Sequence, residues 1–378
     1  MIFFIRGILA SGDDCVKRLI TGMAAVIMAA ILFFPGEVFA LSAEHAILMD
    51  AATGRVIYEK GADQRSLIAS TTKIMTALVV CEQCNVLDRM RIPKEAIGVE
   101  GSSMYLREGE ILTIQELLYG LMLQSGNDAA VALAIYCGGT VEGFAELMND
   151  KARQLGLADT HFVNPHGLDA PEHYSTARDL AILASYAMKN PIFAGTVSAK
   201  TVNIGQRSLT NHNKILWRVD GADGVKTGFT KASGRVLVSS ATRDGRRLVC
   251  VTINAPDDWN DHKLLLEDGF SRFQPVNLVN CGDVLGTIPV LGGESTYAHL
   301  IADDDFEYPM AEGEQVSIQL PPILFVYAPI AWGQRAGWAH ILVEGVPVGK
   351  VPLLYGETVE KTPDMEPSLW EKLFGGAS

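Results

Sequence analysis

The sequence predicts an α+β fold, an antiparallel sheet with a helical half, followed by a small all-β domain. Two observations carry this prediction. The order of elements is the first. Strand-like residues 46–50 and 55–58 flank the turn Ala52-Thr53-Gly54, helical periodicity fills residues 87–193, and strand-like residues 235–241 and 248–253 follow. Strands, then helices, then strands is the pattern of an α+β domain. The second lies beyond residue 275. There short apolar runs such as Val284-Leu285, Ile288-Pro289-Val290 and Val316-Ser317-Ile318 alternate with Gly and Pro, as in a small β-sandwich.

The individual elements have local reasons. Helices are expected over 113–123, 128–136, 141–155 and 177–188, and Thr113 with Glu116 has capping-box spacing. Thr176 with Asp179 repeats that spacing. A loop, Asn164-Pro165-His166-Gly167-Leu168-Asp169, separates two of these helices.

At 378 residues the chain has room for two domains, and 48% hydrophobic with 20% charged residues is globular composition. The formal charge of −13 leaves no basic surface for phosphate contacts, which excludes nucleic-acid binding. Lys17-Arg18 precede an apolar run over 23–34 and then Val38-Phe39-Ala40, the order of a signal peptide cut after Ala40. An earlier apolar patch, Ile2-Phe3-Phe4-Ile5, does not belong to that pattern and points to a translation start near Val16. The expected organisation is a signal peptide at 1–40, a catalytic domain at 41–275, a β-sandwich at 276–360 and a short tail at 361–378.

The chemistry centres on Ser70 and Lys73. One helical turn apart, the hydroxyl and the amine project side by side. A lysine can act as base toward a serine only when burial or neighbouring cations lower its pKa. The apolar flanks Ile74, Met75, Ala77, Leu78, Val79 and Val80 favour such burial. Ser125-Gly126-Asn127 and Lys226-Thr227-Gly228 follow in order, completing the S-x-x-K, S-x-N and K-T-G trio of penicillin-binding proteins and class A β-lactamases. Taken singly, Ser125-Gly126-Asn127 is also ordinary turn composition.

The resemblance extends well beyond three motifs. Gly109-Glu110, Asn127-Asp128-Ala129-Ala130, Met148-Asn149, Asn164-Pro165-His166-Gly167-Leu168, Ser175-Thr176-Ala177-Arg178-Asp179 and Phe229-Thr230 make the chain similar to serine-type D-alanyl-D-alanine carboxypeptidases. These are the low-molecular-mass penicillin-binding proteins of peptidase family S11. The resemblance implies a penicillin-binding-protein/β-lactamase-like transpeptidase domain followed by the β-sandwich. It implies Ser70 as nucleophile, Lys73 as base, and Ser125 with Lys226 relaying a proton to the leaving amine. It also implies that Asn127 binds the substrate amide, that Thr227 with Lys226 and Gly228 binds the terminal carboxylate, and that the Ser70 and Phe229 N–H groups form the oxyanion hole. No metal or cofactor is required. Peptidoglycan stem peptides are the implied substrate and β-lactams the covalent inhibitors, outside the cytoplasm at the cell wall or membrane face.

Two departures from the family stand out. Some relatives carry an arginine in the segment that here reads Asn211-His212-Asn213, and some carry histidine where this chain has Phe229. His166 reads as a loop-fixing imidazole, because lysine already fills the base role. Signal cleavage leaves five cysteines, an odd number. Cys81 and Cys84 are spaced like a redox or metal pair but read as buried thiols or an incidental disulfide, since an exported domain of this size has core enough to dispense with disulfides. In the tail, Leu369, Trp370, Leu373 and Phe374 would share one helical face. With Asp364, Glu366 and Glu371 nearby, the tail offers at most weak membrane-surface contact or a packed helix.

Three rivals follow from the same residues. A class A β-lactamase needs an E-x-x-L-N stretch that does not occur between Asn127 and Lys226. An endopeptidase would apply the same serine to cross-links. A wall-binding or antibiotic-sensing module would acylate without turnover.

Overall fold

The structure, a computed structural model, describes residues 40–362. The signal segment apart from its last residue, and residues 363–378 of the tail, lie outside the described residues. Ser42 onward forms one unit, to which all that follows refers.

The hairpin of β1 (His45–Asp50) and β2 (Val56–Lys60) turns at Ala51-Ala52-Thr53-Gly54, where Asp50 Oδ1 accepts from the Ala52 and Thr53 N–H groups. Its third partner comes from far along the chain. β1 pairs antiparallel with β5 (Arg246–Ile253), β5 with β4 (Gly234–Arg243), and β4 with β3 (Ala222–Thr230), giving one five-stranded sheet in the order β2-β1-β5-β4-β3. Val236, Val238, Val249 and Val251 from this sheet pack against the helices.

The helical half is built on α1 (Lys73–Gln83), whose residues Lys73 to Cys81 are all buried. Around it stand α2 (Ile114–Leu123), α3 (Asn127–Gly138), α4 (Val141–Gln154), α5 (Ala177–Ala187) and α6 (Pro191–Ser198). The two expected caps form. Thr113 and Glu116 make a reciprocal capping box, and Thr176 Oγ1 accepts from the Asp179 N–H at 3.0 Å. A helix buried on all sides follows from the unbroken apolar run after Lys73, because no polar face is left to turn toward water. Among the described residues no single helix is long and apolar enough to cross a membrane.

α7 (Asp258–Arg272) crosses behind the sheet and hands over directly to a strand, Phe273–Val279, that pairs with Phe306–Ala311. A six-stranded sheet completes the C-terminal β-domain. Its order is Val316–Gln319, Arg335–Val343, Val346–Tyr355, Tyr297–Ala302, Val284–Leu291 and Val326–Tyr327, with only the last pairing parallel. Arg55, in the loop before β2, joins the two domains. Its guanidinium donates to Pro309 O and Glu314, and lies 4.8 Å from the Phe273 ring centroid and 5.1 Å from that of Tyr308.

The cysteines pair differently from the spacing. Cys84 bonds Cys137 across 53 residues, tying the C-terminal end of α1 to that of α3, while Cys81 and Cys250 stay buried thiols. Cys81 lies within α1 among core residues, whereas Cys84 is the C-cap, where the backbone turns extended, and it bonds Cys137 instead.

Candidate active site

Ser70 does not sit in α1 itself. It lies in a short 3-10 turn, Ala69–Thr72, that leads into α1. Thr71 Oγ1 donates to Ile68 O at 2.6 Å and Thr72 Oγ1 to Ala69 O at 2.9 Å, so the two threonines between nucleophile and lysine knit the turn. Ala69 has φ +46° and Ser125 φ +60°, a left-handed backbone costly for non-glycine residues that persists where surrounding packing imposes it.

Lys73 Nζ lies 2.9 Å from Ser70 Oγ. The same nitrogen donates to Asn127 Oδ1 at 2.7 Å and to the His166 carbonyl at 2.6 Å. Both are pure acceptors. A neutral amine has two N–H bonds and one lone pair, and two carbonyls plus a serine hydroxyl match that inventory. Burial, then the nearby charge of Lys226, holds the Lys73 pKa well below the ordinary lysine range, against a smaller opposing effect of Asp128. Burial thus favours the neutral amine over the ammonium, the form whose lone pair can take the Ser70 proton.

The wall opposite is β3. Lys226 is also fully buried, its pKa brought down to about 7 by burial, and its Nζ donates to Thr227 O at 2.8 Å. Gly228 runs against the nucleophile turn: a Cβ there would stand 3.1 Å from the Ser70 nitrogen. Ser70, Ser102, Ser125, Thr227, Phe229 and Arg235 line a cleft of about 360 Å³.

The third wall is the 164–169 loop. Asn164 Oδ1 accepts from the Gly167 N–H at 2.7 Å and its Nδ2 donates to Leu168 O at 2.9 Å, closing the loop on itself. Gly167 has φ +88°, and a Cβ at that position would fall 1.9 Å from Ala69 O, so only glycine lets the loop press on the nucleophile turn. His166 serves this loop through its backbone N–H, which donates to Asn164 Oδ1 at 3.3 Å, and through its ring. Burial and Lys73 lower its imidazole pKa to about 4, and its Nδ1 accepts from the Leu168 N–H at 3.2 Å.

Several residues brought to the site are not marked by the motifs. His173 Nδ1 accepts from the Val163 N–H, leaving the proton on Nε2 to reach Thr72 Oγ1 at 2.8 Å. Asp128 accepts from Ser103 Oγ and from the Met104, Leu106 and Ala129 N–H groups, fixing the segment that carries Ser102. Asn127, expected to face the substrate amide, is engaged inside the protein at both ends: Oδ1 by Lys73, and Nδ2 by Glu100 O at 2.5 Å. Among the described residues no cluster of three or more His, Cys, Asp or Glu side chains is arranged to hold a metal.

Comparison with known proteins gives this geometry its context. Residues 34–257 match the family described as D-alanyl-D-alanine carboxypeptidase, peptidase S11. The chain belongs to that family. Residues 273–361 match the C-terminal domain of penicillin-binding protein 5. The carboxypeptidase is 33% identical to D-alanyl-D-alanine carboxypeptidase DacC of Escherichia coli over 91% of its own length and 93% of that protein's. It is 31% identical to DacF of Bacillus subtilis over 84% and 86%. Among solved structures, penicillin-binding protein 5 from Haemophilus influenzae superposes with a TM-score of 0.72 at 30% identity, covering 85% of this chain and 98% of that one. The expected transpeptidase-type domain with a β-domain behind it is what these relatives share, and the enzyme class is serine-type D-Ala-D-Ala carboxypeptidase.

Proposed function

We propose that Ser70 removes the terminal D-alanine of peptidoglycan stem pentapeptides through an acyl-enzyme. The observation that carries this is the Lys73 amine, 2.9 Å from Ser70 Oγ with its two other directions taken by carbonyl acceptors. As Ser70 Oγ bonds the carbonyl carbon of the penultimate D-alanine, its proton passes to Lys73. The developing oxyanion is met by the N–H groups of Ser70 and Phe229, each worth about 3–4 kcal/mol in comparable sites. The C–N bond then breaks. The proton taken up by Lys73 is relayed through Ser125 and Lys226 to the leaving amine, Lys73 becomes neutral again, and terminal D-alanine departs. Water next attacks the ester carbonyl and gives a proton to the neutral Lys73; the ester C–O bond breaks, Lys73 returns that proton to Ser70 Oγ, and the shortened peptide leaves as its acid.

Thr227 and Gly228 hold the substrate strand along β3. Asn127 acts chiefly on Lys73, orienting the amine toward the serine. β-Lactams acylate Ser70 because their strained amide and carboxylate imitate the D-alanyl-D-alanine end. The same reading places the mature protein outside the cytoplasm after cleavage near Ala40, with weak membrane-surface contact through residues 361–378.

The test is mass spectrometry of pentapeptide-containing and cross-linked peptidoglycan fragments incubated with the mature protein and with Ser70→Ala. Loss of one D-alanine with the parent protein alone is the expected result. Cleavage confined to cross-links would make the enzyme an endopeptidase, and acylation without product would make it a sensing module.

A further inference from the structure

The substrate's terminal carboxylate needs a cation, and the motif residues supply a poor one. Lys226 is fully buried with a pKa near 7, and its ammonium is bonded to Thr227 O. His212, in the segment where some relatives carry arginine, is held below the usual histidine range by burial and by Lys226. At neutral pH neither provides a dependable positive charge.

The cleft wall holds one that does. Arg235 on β4 stands directly opposite Phe229 on β3, as Leu237 stands opposite Thr227. Residues paired across strands share a face, and so do residues two apart along one strand, so Arg235 projects to the side that carries Thr227. It lines the same cleft as Ser70 and Thr227. Its Nη2 donates to Asp258 Oδ1 at 2.7 Å, and its guanidinium carbon is 5.5 Å from the Trp259 ring centroid. These two residues open α7. The ion pair is lopsided: the Asp258 side chain is 4% exposed and that of Arg235 is 40% exposed. Asp258 and Trp259 also line the cleft, but the carboxylate is almost covered, so the cleft meets chiefly the guanidinium. A planar guanidinium fixed on one edge keeps further donors for a second carboxylate.

We propose that Arg235, braced by Asp258 and Trp259, recognises the substrate's terminal carboxylate together with Thr227. The proposal rests on the reading that this cleft takes a D-alanyl-D-alanine end. It assigns to the neighbouring strand the charge that the Asn211-His212-Asn213 segment lacks.

The experiment measures second-order acylation of Ser70 by benzylpenicillin and by its methyl ester, followed by intact-protein mass, for the parent protein, Arg235→Gln, Arg235→Lys and Lys214→Gln. The parent should favour the free acid. Arg235→Gln should acylate about 10- to 100-fold more slowly with the acid, the range expected for one charge-assisted hydrogen bond, and change by less than about twofold with the ester. Arg235→Lys should recover part of the preference. Equal slowing of acid and ester in Arg235→Gln would show a merely structural salt bridge and overturn the proposal. So would loss of the preference in Lys214→Gln with Arg235→Gln unaffected, since Lys214 also lines the cleft. If the parent itself failed to distinguish acid from ester, the reading of the cleft would fall and the role of Arg235 with it.

Discussion

The catalytic domain and the β-domain solve the problem of an interior in opposite ways. Around the cleft the buried set includes Lys73, Lys226, Asn127, Asp128, His173 and, deeper, His262 between Ser239 and Thr252. Among the described residues from Phe273 onward, every buried side chain is apolar or aromatic, with Ile341, Val351 and Leu353 at its centre. The difference teaches where the molecule accepts destabilisation. Each ionisable group kept neutral by burial weakens the fold under conditions in which it would charge, and these groups gather where chemistry is done.

That contrast can be broken most severely at Lys73. Lys73→Met should lower acylation by about 10³-fold or more, since removing one member of a nucleophile–base pair removes most of its advantage. The measurement is the acylation rate with benzylpenicillin, with circular dichroism confirming a folded protein.

Acid should single out the catalytic domain. His166 and His173 have pKa values of about 4 and His262 of about 3 in the fold, against 6.5 in the unfolded chain. Below 6.5 the unfolded chain binds protons that the fold excludes. Stability is therefore full above pH 6.5 and falls as pH drops toward 4 and then 3, by several kcal/mol in order of magnitude. Thermal melts between pH 7 and 4 should show the catalytic transition moving down while that of the β-domain stays nearly fixed. Parallel movement of both would remove the contrast.

Leu353→Ala probes the other region. It should cost about 2–5 kcal/mol, the range for deleting a buried leucine side chain, and leave acylation of Ser70 unchanged. Arg55→Ala tests the joint. Loss of its charged contacts to Pro309 O and Glu314 should cost about 1–3 kcal/mol and widen the gap between the two thermal transitions, again without slowing acylation. The smallest effect on stability concerns Lys226. Its pKa of about 7 lies below the ordinary 10.5, so in the parent protein stability rises with pH between those values. Lys226→Met should flatten that slope and raise the melting temperature at pH 7 by a few degrees, while acylation is lost. A fall in melting temperature would mean that the buried ammonium is a net stabiliser.

What the sequence made legible is what short-range rules govern. The capping box at Thr113, the N-cap at Thr176, the burial of α1, and the nearness of Ser70 to Lys73 all follow from spacings of three or four residues. The spacing of Ser70 and Lys73 predicts one helical turn between them, and the structure forms it as a 3-10 turn whose two threonines bond back to Ile68 and Ala69. Contacts made by the fold over long separations were out of reach. Arg235 meets Asp258 only because β4 and the start of α7 converge on one cleft edge, and Cys84 meets Cys137 only because α1 and α3 end side by side. Asp128 carried a signal in its place beside Asn127, yet its four acceptor contacts to 103–106 and 129 depend on a loop with no periodicity to read.

The Cys84–Cys137 bond ties together the two helices that carry Lys73 and Asn127 at their opposite ends. Closing a loop of this length removes about 4 kcal/mol of unfolded-chain freedom in the entropic account of cross-links. Such a bond persists where thiols oxidise and is absent where glutathione keeps them reduced. The placement of Asn127 against Lys73 is thus covalently braced only where thiols oxidise, and under reducing conditions the same groups stand on helices without that brace.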